Sequence, residues 1–590
     1  MDRYDDRRRP RRGSDPRSGS RRGGRPPKND LFHTAPSHER FERWKVVVLV
    51  FAAILVLGAV ARLAWYDIFN ADWYVAQATE RRLTDQTVFA KRGTIYDRNG
   101  NVLATSVDCF NVAVNPRLVE DRDAVATALA DVLAVDRAEA MERLSRDTTF
   151  VYIKKQVDQD LVDELRETGL AGFEYEPTVK RVYPYGNLAS QVLGVVGNDN
   201  EGLTGLELYY NDILSGTDGS VVYEHGLYGE RIAGGAYEET PAKDGTDIVL
   251  SIDANIQRAA EDAIAQAVED ADANYGSIIV TDPNTGEILA ACSYPTYDQT
   301  DLANAESSAL NLRVVTDSYE PGSTFKTLTA AMAVDSGSMT SESSIYVPAQ
   351  VKVGDDIVTD VDDRDWGMDM TLREILRRSS NTGIALVGES MGADSFASYL
   401  EKFGIGSKTG VDFPGEVTGI VPAREDYTGA SVGAMSFGQA VSVPPIQLVR
   451  AVGAIANGGT LKTPHFLVSK GGEKVDWSEG DSKAISGEAA SSVADMMRTV
   501  VDEGTGEAGQ VEGYDVSGKT GTAQRASESG GYEENNYMAS FMGFAPTDDP
   551  QVLVYVTLDG TAGSGGGQAA PPFQKVMAQA LDTLGVPKTR

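Results

Sequence analysis

The sequence predicts an α+β fold tied to a membrane: a domain with an antiparallel sheet flanked by helices, preceded by an elongated β-rich pedestal and one transmembrane helix. Three observations carry this reading. One apolar run long enough to span a bilayer follows a basic tail, hairpin signals recur through the second half, and helical periodicities lie between those hairpins. Composition agrees, since 590 residues with 41% hydrophobic and 24% charged side chains are ordinary globular values; wholesale disorder and a multi-span protein are excluded. The formal charge of −33 excludes nucleic acid as the main partner, because phosphate binding needs basic surface. Two cysteines, Cys109 and Cys292, cannot build a disulfide framework or a cysteine-rich zinc site. They fall in different modules and are expected as separate thiols; no cofactor is implied.

Residues 1–45 carry 14 Lys/Arg against seven Asp/Glu among glycine, serine and proline, so this tail is expected to stay disordered. A nucleic-acid arm has the same composition, and the residues after the tail decide between the two. Val46 to Ala61 is sixteen consecutive apolar or glycine residues, and counted through Arg62 to Tyr66 the stretch reaches 21 residues, a bilayer's width. Arg62 lies near one end, where it can reach headgroups, and Trp65 and Tyr66 suit the interfacial belt. Basic residues precede the span, which places the tail in the cytoplasm and about 520 residues outside. A cleaved signal peptide is the rival, and Ala59-Val60-Ala61 does resemble a cleavage site, but a 45-residue leader before the apolar run is far too long.

Residues 67–245 read as short strands and loops with an acidic helical stretch near Asp121 to Arg146, and Asn99-Gly100 between two apolar runs signals a hairpin turn. Nothing there looks catalytic; a spacer or docking module is the expectation. Residues 246–590 have another texture. Helical patterns cover Ala254 to Ala271, Phe325 to Asp335, Ala489 to Val501 and Phe573 to Leu584. Two hairpins stand between them, SIIVTDPNTGEILAACS and the pair YMASFMGFAP with QVLVYVTLDG. Hairpins outnumber long crossovers, so the sheet is antiparallel.

Three stretches of this domain can carry chemistry. In Glu320-Pro321-Gly322-Ser323-Thr324-Phe325-Lys326 the Pro-Gly pair breaks the chain, and Ser323 is a helix cap or first-turn residue. Ser323 and Lys326, at i and i+3, share a face. A serine hydroxyl needs a base to become a nucleophile, and lysine can be that base when desolvated or set beside another cation. The second stretch is Ser379-Ser380-Asn381, after TLREILRR with Thr371 and Glu374 as a capping box; its hydroxyl and carboxamide can relay a proton and hold a carbonyl. In the third, Lys519-Thr520-Gly521-Thr522, a strand would present an ammonium, two hydroxyls and a glycine that lets a ligand backbone approach.

Singly, each of these is a common pattern. Gly513 to Thr520 also matches the phosphate-loop pattern of an ATPase. However, no apolar strand leads in, Gly521 interrupts any following helix, and Glu507, Glu512 and Asp515 stand where phosphates would bind. A Ser-His-Asp triad could draw only on His225 or His465 outside the membrane, and both are expected at the surface.

Together, the S-x-x-K, S-x-N and K-T-G stretches in this order resemble the penicillin-recognising serine enzymes. RGTIYDRNGNVLA, RVYPYGNLASQVLGVVG, GLTGLELYYNDILSG and ILAACSYPTYD look like class B penicillin-binding proteins, most closely the division-type FtsI and SpoVD group. The resemblance runs from about Val46 to the C-terminus and implies a penicillin-binding transpeptidase domain behind a pedestal. It implies a D,D-transpeptidase in which Ser323 attacks the penultimate D-Ala of a stem peptide, Lys326 is its base and Ser379 shuttles a proton. Asn381 would bind the substrate amide, while Lys519, Thr520 and Thr522 would hold the terminal carboxylate and Gly521 would line the site. β-Lactams would acylate Ser323. Ser380 stands where the family pattern often has Asp, which leaves acylation in place. Elongation-type cross-linking is the near alternative, then a carboxypeptidase or β-lactamase; no E-x-x-x-N follows Asn381 to supply a deacylating glutamate. A penicillin sensor would need a larger cytoplasmic domain, and an idle scaffold of the division machinery would not need intact motifs. The family also implies a multi-span glycan polymerase and other division proteins as partners.

Overall fold

The computed structural model describes residues 38–80, 82–226, 231–362, 364–526 and 532–590. These divide into two compact units, one reaching to Thr84 and taking in Tyr223–Ala236, the other Asp85–Val222 with Tyr237–Arg590. In the first, the apolar run is a helix, His38–Ala64, continued by a π-helical turn, Trp65–Phe69. The candidate span is Arg40–Phe69, with a mean hydropathy of 2.8 and none of its most apolar stretch buried. A bare apolar helix of this length has its natural solvent in lipid. Most of the basic tail lies outside the described residues. Its last residues, from His38, are helical rather than disordered, and Lys45 pairs with Glu42 one turn back at 2.8 Å.

In the second unit the pedestal residues are strands and helices rather than short strands and loops. Val102–Val114 is thirteen residues long because it pairs with three other strands, at Ile95–Tyr96, Val151–Val157 and Phe173–Val182. The acidic stretch splits into Arg122–Leu133 and Arg137–Leu144, each capped by the aspartate before it, Asp121 and Asp136. Asn99-Gly100 closes the expected hairpin, with Gly100 at φ 83° and the Asp97 carboxylate accepting from the Asn99 and Asn101 amides.

A buried charge cluster ties this region together. Arg92 donates to Glu207 Oε2 at 2.5 Å and Arg181 to Glu207 Oε1 at 2.7 Å, with Glu207 fully buried. Arg92 also donates to the Asn200 and Glu207 carbonyls and to Asn211 Oδ1. Cys109 and Cys292 are separate, buried thiols.

The C-terminal region is built on a five-stranded antiparallel sheet. In chain order its main elements are α1 (Ala254–Ala271), β1 (Tyr275–Thr281), β2 (Ile288–Tyr294), α2 (Lys326–Asp335), α3 (Leu372–Arg377), α4 (Asn381–Met391), α5 (Pro445–Ala456), α6 (Gly487–Glu503), β3 (Ser517–Ala526), β4 (Tyr532–Ala545), β5 (Val552–Thr561) and α7 (Ala570–Thr583). The strand order is β2-β1-β5-β4-β3, which leaves β3 at an edge.

Both faces of the sheet are covered, and this is why its central strands lack a polar side. Ile278, Val280, Val554 and Val556 pack with Ile256, Ile264, Phe573 and Met577 of α1 and α7. The alternate residues Ile279, Leu553 and Tyr555 face the core that holds α2, α5 and α6. The edge strand and α2 thus meet across one seam. Replacing Glu207 with alanine should leave Arg92 and Arg181 buried without their shared counter-charge and cost about 3–5 kcal/mol, read as a large drop in the melting temperature; an unchanged melt would show the cluster to be dispensable.

Candidate active site

The Ser323 segment forms a 3-10 turn, Gly322–Phe325, that runs into α2 at Lys326. Residues i and i+3 eclipse in such a turn, so Ser323 sits in line with Lys326. Ser323 takes the first-turn option, not the cap, and is half-buried while Lys326 is fully buried. No hydrogen bond joins Ser323 Oγ to another described residue. Lys326 Nζ instead donates to the Ser379 carbonyl at 2.5 Å, to Asn381 Oδ1 at 2.6 Å and, at 3.3 Å, to Ser379 Oγ.

Ser379-Ser380-Asn381 owes its shape to two helix ends that meet. Helix α3 starts with the expected cap, Thr371 accepting from the Glu374 amide, and ends in a Schellman closure: the Ser379 amide donates to the Leu376 carbonyl and the Ser380 amide to the Ile375 carbonyl. Ser379 therefore holds the left-handed position, φ 59°, that glycine usually fills. Ser380 then caps α4 through the Gly383 amide at 2.9 Å, and Asn381 is the first residue of that helix. One residue ends a helix, the next starts another, and the strained serine between them offers its carbonyl and hydroxyl to Lys326.

On the edge strand β3, Lys519 is fully buried, and its Nζ donates to Ser379 Oγ at 2.9 Å and to the Thr520 carbonyl at 3.0 Å. Thr520 Oγ1 meets Thr505 Oγ1 at 2.8 Å, and Thr522 Oγ1 accepts from the Gly565 amide at 3.0 Å. Two lysines from opposite sides of the seam thus converge on one hydroxyl. Burial pushes Lys519 down to about 7. Burial, then the charge of Lys519, pushes Lys326 well below the ordinary lysine range, with Asp360 opposing.

Gly521 is closely packed within the protein itself. The room left by its missing side chain is filled by the protein, since a Cβ there would lie 2.3 Å from Ser540 Oγ and 3.0 Å from Thr324 Cγ2. The glycine lets the strand close on the Ser323 turn. The phosphate-loop reading of Gly513 to Thr520 fails, because Lys519 lies inside a strand with its ammonium turned to Ser379. His465 is buried rather than at the surface: it sits in a stretch paired to Glu287, donates from Nδ1 to the Thr463 carbonyl and stacks on Trp477 at 4.9 Å. His225 is half-buried and donates from Nδ1 to the Gly226 carbonyl. Neither histidine is bonded to the motif residues.

Asp360 and Arg364 went unseen in the sequence. Asp360 accepts from Ser380 Oγ at 2.8 Å, from the Thr382 amide at 2.9 Å and from Arg364 at 3.0 Å. Against the upward push of burial, the Thr382 amide, the Ser380 hydroxyl and Arg364 hold its carboxyl below the ordinary value. Arg364 is anchored in turn on the carbonyls of Val347, Pro348 and Trp366. This pair fixes the start of α4 and with it Asn381. Thr505 and Gly565, which back Thr520 and Thr522, were likewise unmarked by any motif.

A model of the penicillin-binding protein transpeptidase domain matches residues 276–578, and one of the penicillin-binding protein dimerisation domain matches residues 87–250. The chain is 35% identical to stage V sporulation protein D of Bacillus subtilis, over 91% of this chain and 85% of that one. It is 33% identical to the probable peptidoglycan D,D-transpeptidase PenA of Neisseria meningitidis, over 92% and 93%. It is similar to the crystal structure of penicillin-binding protein 3 of Mycobacterium tuberculosis complexed with aztreonam, with a TM-score of 0.67, 26% identity, and 86% and 98% of the chains covered. Replacing Ser379 with glycine should relieve the left-handed strain and raise stability by about 1 kcal/mol while penicillin labelling falls at least tenfold; a variant that gains stability and keeps its labelling rate would remove Ser379 from the site.

Proposed function

The chain belongs to the class B penicillin-binding proteins, and from that premise we propose that it cross-links peptidoglycan through an acyl-enzyme on Ser323. The observation that carries this reading is the convergence of Lys326 and Lys519 on Ser379 Oγ beside the nucleophile turn. Lys326 spends two donors on the short bonds to Ser379 O and Asn381 Oδ1. The third proton is then the one to lose, and the neutral amine left behind can take the Ser323 proton.

The reaction balances without an outside reagent. Ser323 Oγ bonds to the penultimate D-Ala carbonyl carbon, the C–N bond to the last D-Ala breaks, and the Ser323 proton passes through Lys326 and Ser379 to the leaving amine. An amine of a second stem then attacks the ester, its C–N bond forms as the C–O bond to Ser323 breaks, and its proton returns to the Ser323 oxygen. Backbone N–H groups of Ser323 and Thr522 would hold the oxyanion, each such donor contributing about 3–4 kcal/mol. Lys519, Thr520 and Thr522 would receive the terminal carboxylate, and Asn381 the substrate amide. Residues 46–66 would anchor the chain with 1–45 in the cytoplasm, 67–245 would be a docking pedestal for a glycan polymerase, and 246–590 the catalytic domain outside. β-Lactams would enter as donor mimics.

Labelled penicillin should leave a stable adduct on Ser323 that is lost in Ser323→Ala, with a second-order labelling rate that falls as pH rises through about 7, where Lys519 gives up its charge. Lys519→Arg, which stays protonated, should lose that alkaline limb. Rapid drug turnover, or an adduct elsewhere, would refute the mechanism. The resemblance of the sequence stretches to the division-type group favours septal work over side-wall elongation. Depletion should then give filaments; spheres would assign the protein to elongation.

A further inference from the structure

The buried cluster of Arg92, Arg181 and Glu207 carries a charge it does not balance, and we propose that it holds a small monovalent anion, of the chloride kind, between Arg181 and Tyr183. Two guanidinium groups share the single carboxylate of Glu207, and the side chains of Arg92, Arg181 and Glu207 are 0%, 3% and 0% exposed. Among the described residues no second carboxylate pairs with either arginine. One positive charge is therefore left over in the interior, where an uncompensated ion is costly.

Two unused donors mark the place. Arg181 donates from Nε to Glu207 Oε1 at 2.7 Å and from Nη1 to the Arg92 carbonyl at 3.3 Å and Ser106 Oγ at 3.4 Å, yet its buried Nη2 has no hydrogen-bond partner among the described residues. The buried Tyr183 hydroxyl has none among them either. Tyr183 directly follows the strand Phe173–Val182, and the alternation of an extended chain carries the side chains of 181 and 183 to one face, about 7 Å apart along it. Buried polar groups of a folded protein are nearly always paired, so two orphans on one face call for a common partner.

The chemistry of that partner follows from the donors. A guanidinium has donors and no acceptor. Burial, then the charge of Glu207, with Arg181 opposing, pushes the Tyr183 hydroxyl up, so it keeps its proton and donates as well. Two donors beside a surplus positive charge exclude a cation, and a water molecule would accept both bonds but leave the surplus where it was. A monovalent anion meets both donors through charge-assisted bonds and brings the cluster to neutrality, whereas a dianion would overshoot it. The ion would also join separate parts of the fold. Glu207 belongs to the helix Gly205–Tyr209, while Tyr183 packs against the core that holds α2, α5 and α6.

The test melts the full chain in detergent at constant ionic strength, with sodium chloride exchanged for sodium gluconate, whose bulky anion is too large for the site. Raising chloride about a hundredfold should raise the melting temperature by about 2 °C. Tyr183→Phe removes one donor and little volume, so it should melt in gluconate as the unaltered protein does while its affinity for chloride falls at least tenfold. A merely structural tyrosine would instead lower both melts alike. Should Tyr183→Phe fail to fold, a crystal of the unaltered protein soaked in bromide decides: an anomalous peak should stand against Arg181 Nη2 and Tyr183 Oη. Equal melting in chloride and gluconate, a rise that survives Tyr183→Phe, or water alone between the two donors in the crystal would overturn the assignment.

Discussion

Two ammonium groups aimed at one hydroxyl are the constraint on which the rest of the site depends. Lys326 and Lys519 are both fully buried, and both donate to Ser379 Oγ. Burying one unpaired cation is costly and burying two side by side is costlier, unless one gives up its proton. The protein supplies no carboxylate within hydrogen-bond reach of either amine among the described residues; the neighbours are carbonyls, hydroxyls and the Asn381 amide oxygen. Acceptors alone favour the charged form, so what draws these amines below the ordinary lysine range is burial and, for Lys326, the neighbouring charge of Lys519. In the proposed mechanism the lowered amine of Lys326 serves as the base and Lys519 meets a ligand's negative charge.

The scaffold exists to bring these groups across a seam. Lys519 comes from the edge of a sheet whose two faces are both packed with helices, so the strand has little freedom to drift. Lys326 comes from the first residue of α2, and Ser379 from the junction of two further helices. At that junction a serine occupies a left-handed position suited to glycine, a strain of the order of 1 kcal/mol that the Asp360–Arg364 pair and the α4 cap hold in place. Gly521 completes the closure by leaving space for Ser540 and Thr324 where a methyl would push the strand off the turn.

Much of this was legible in sequence because it rests on local rules. The periodicity of Ala254 to Ala271, the cap at Thr371, the Asn99-Gly100 turn and the two hairpins come from residue spacing alone, and the structure has them all. The three short motifs carried meaning only as a set, since nothing local says that residues 323, 379 and 519 meet. What stayed hidden depends on contacts remote in sequence. Asp360 lies in an acidic run that looks like solvated surface until Ser380 and Thr382 fold over it. His465 looks like a surface histidine until Trp477 covers it. The close packing of Ser540 and Thr324 against Gly521 likewise comes from residues remote in sequence.

The proposed mechanism turns on the protonation of one amine, so the most direct test is to follow the lysine Nζ resonances by 15N NMR as pH is varied, with Lys326→Arg to assign the signal. Lys326 should titrate well below the ordinary lysine value of 10.5 and be neutral when the protein works. A Lys326 signal that stays protonated until the exposed lysines titrate would contradict its role as the base.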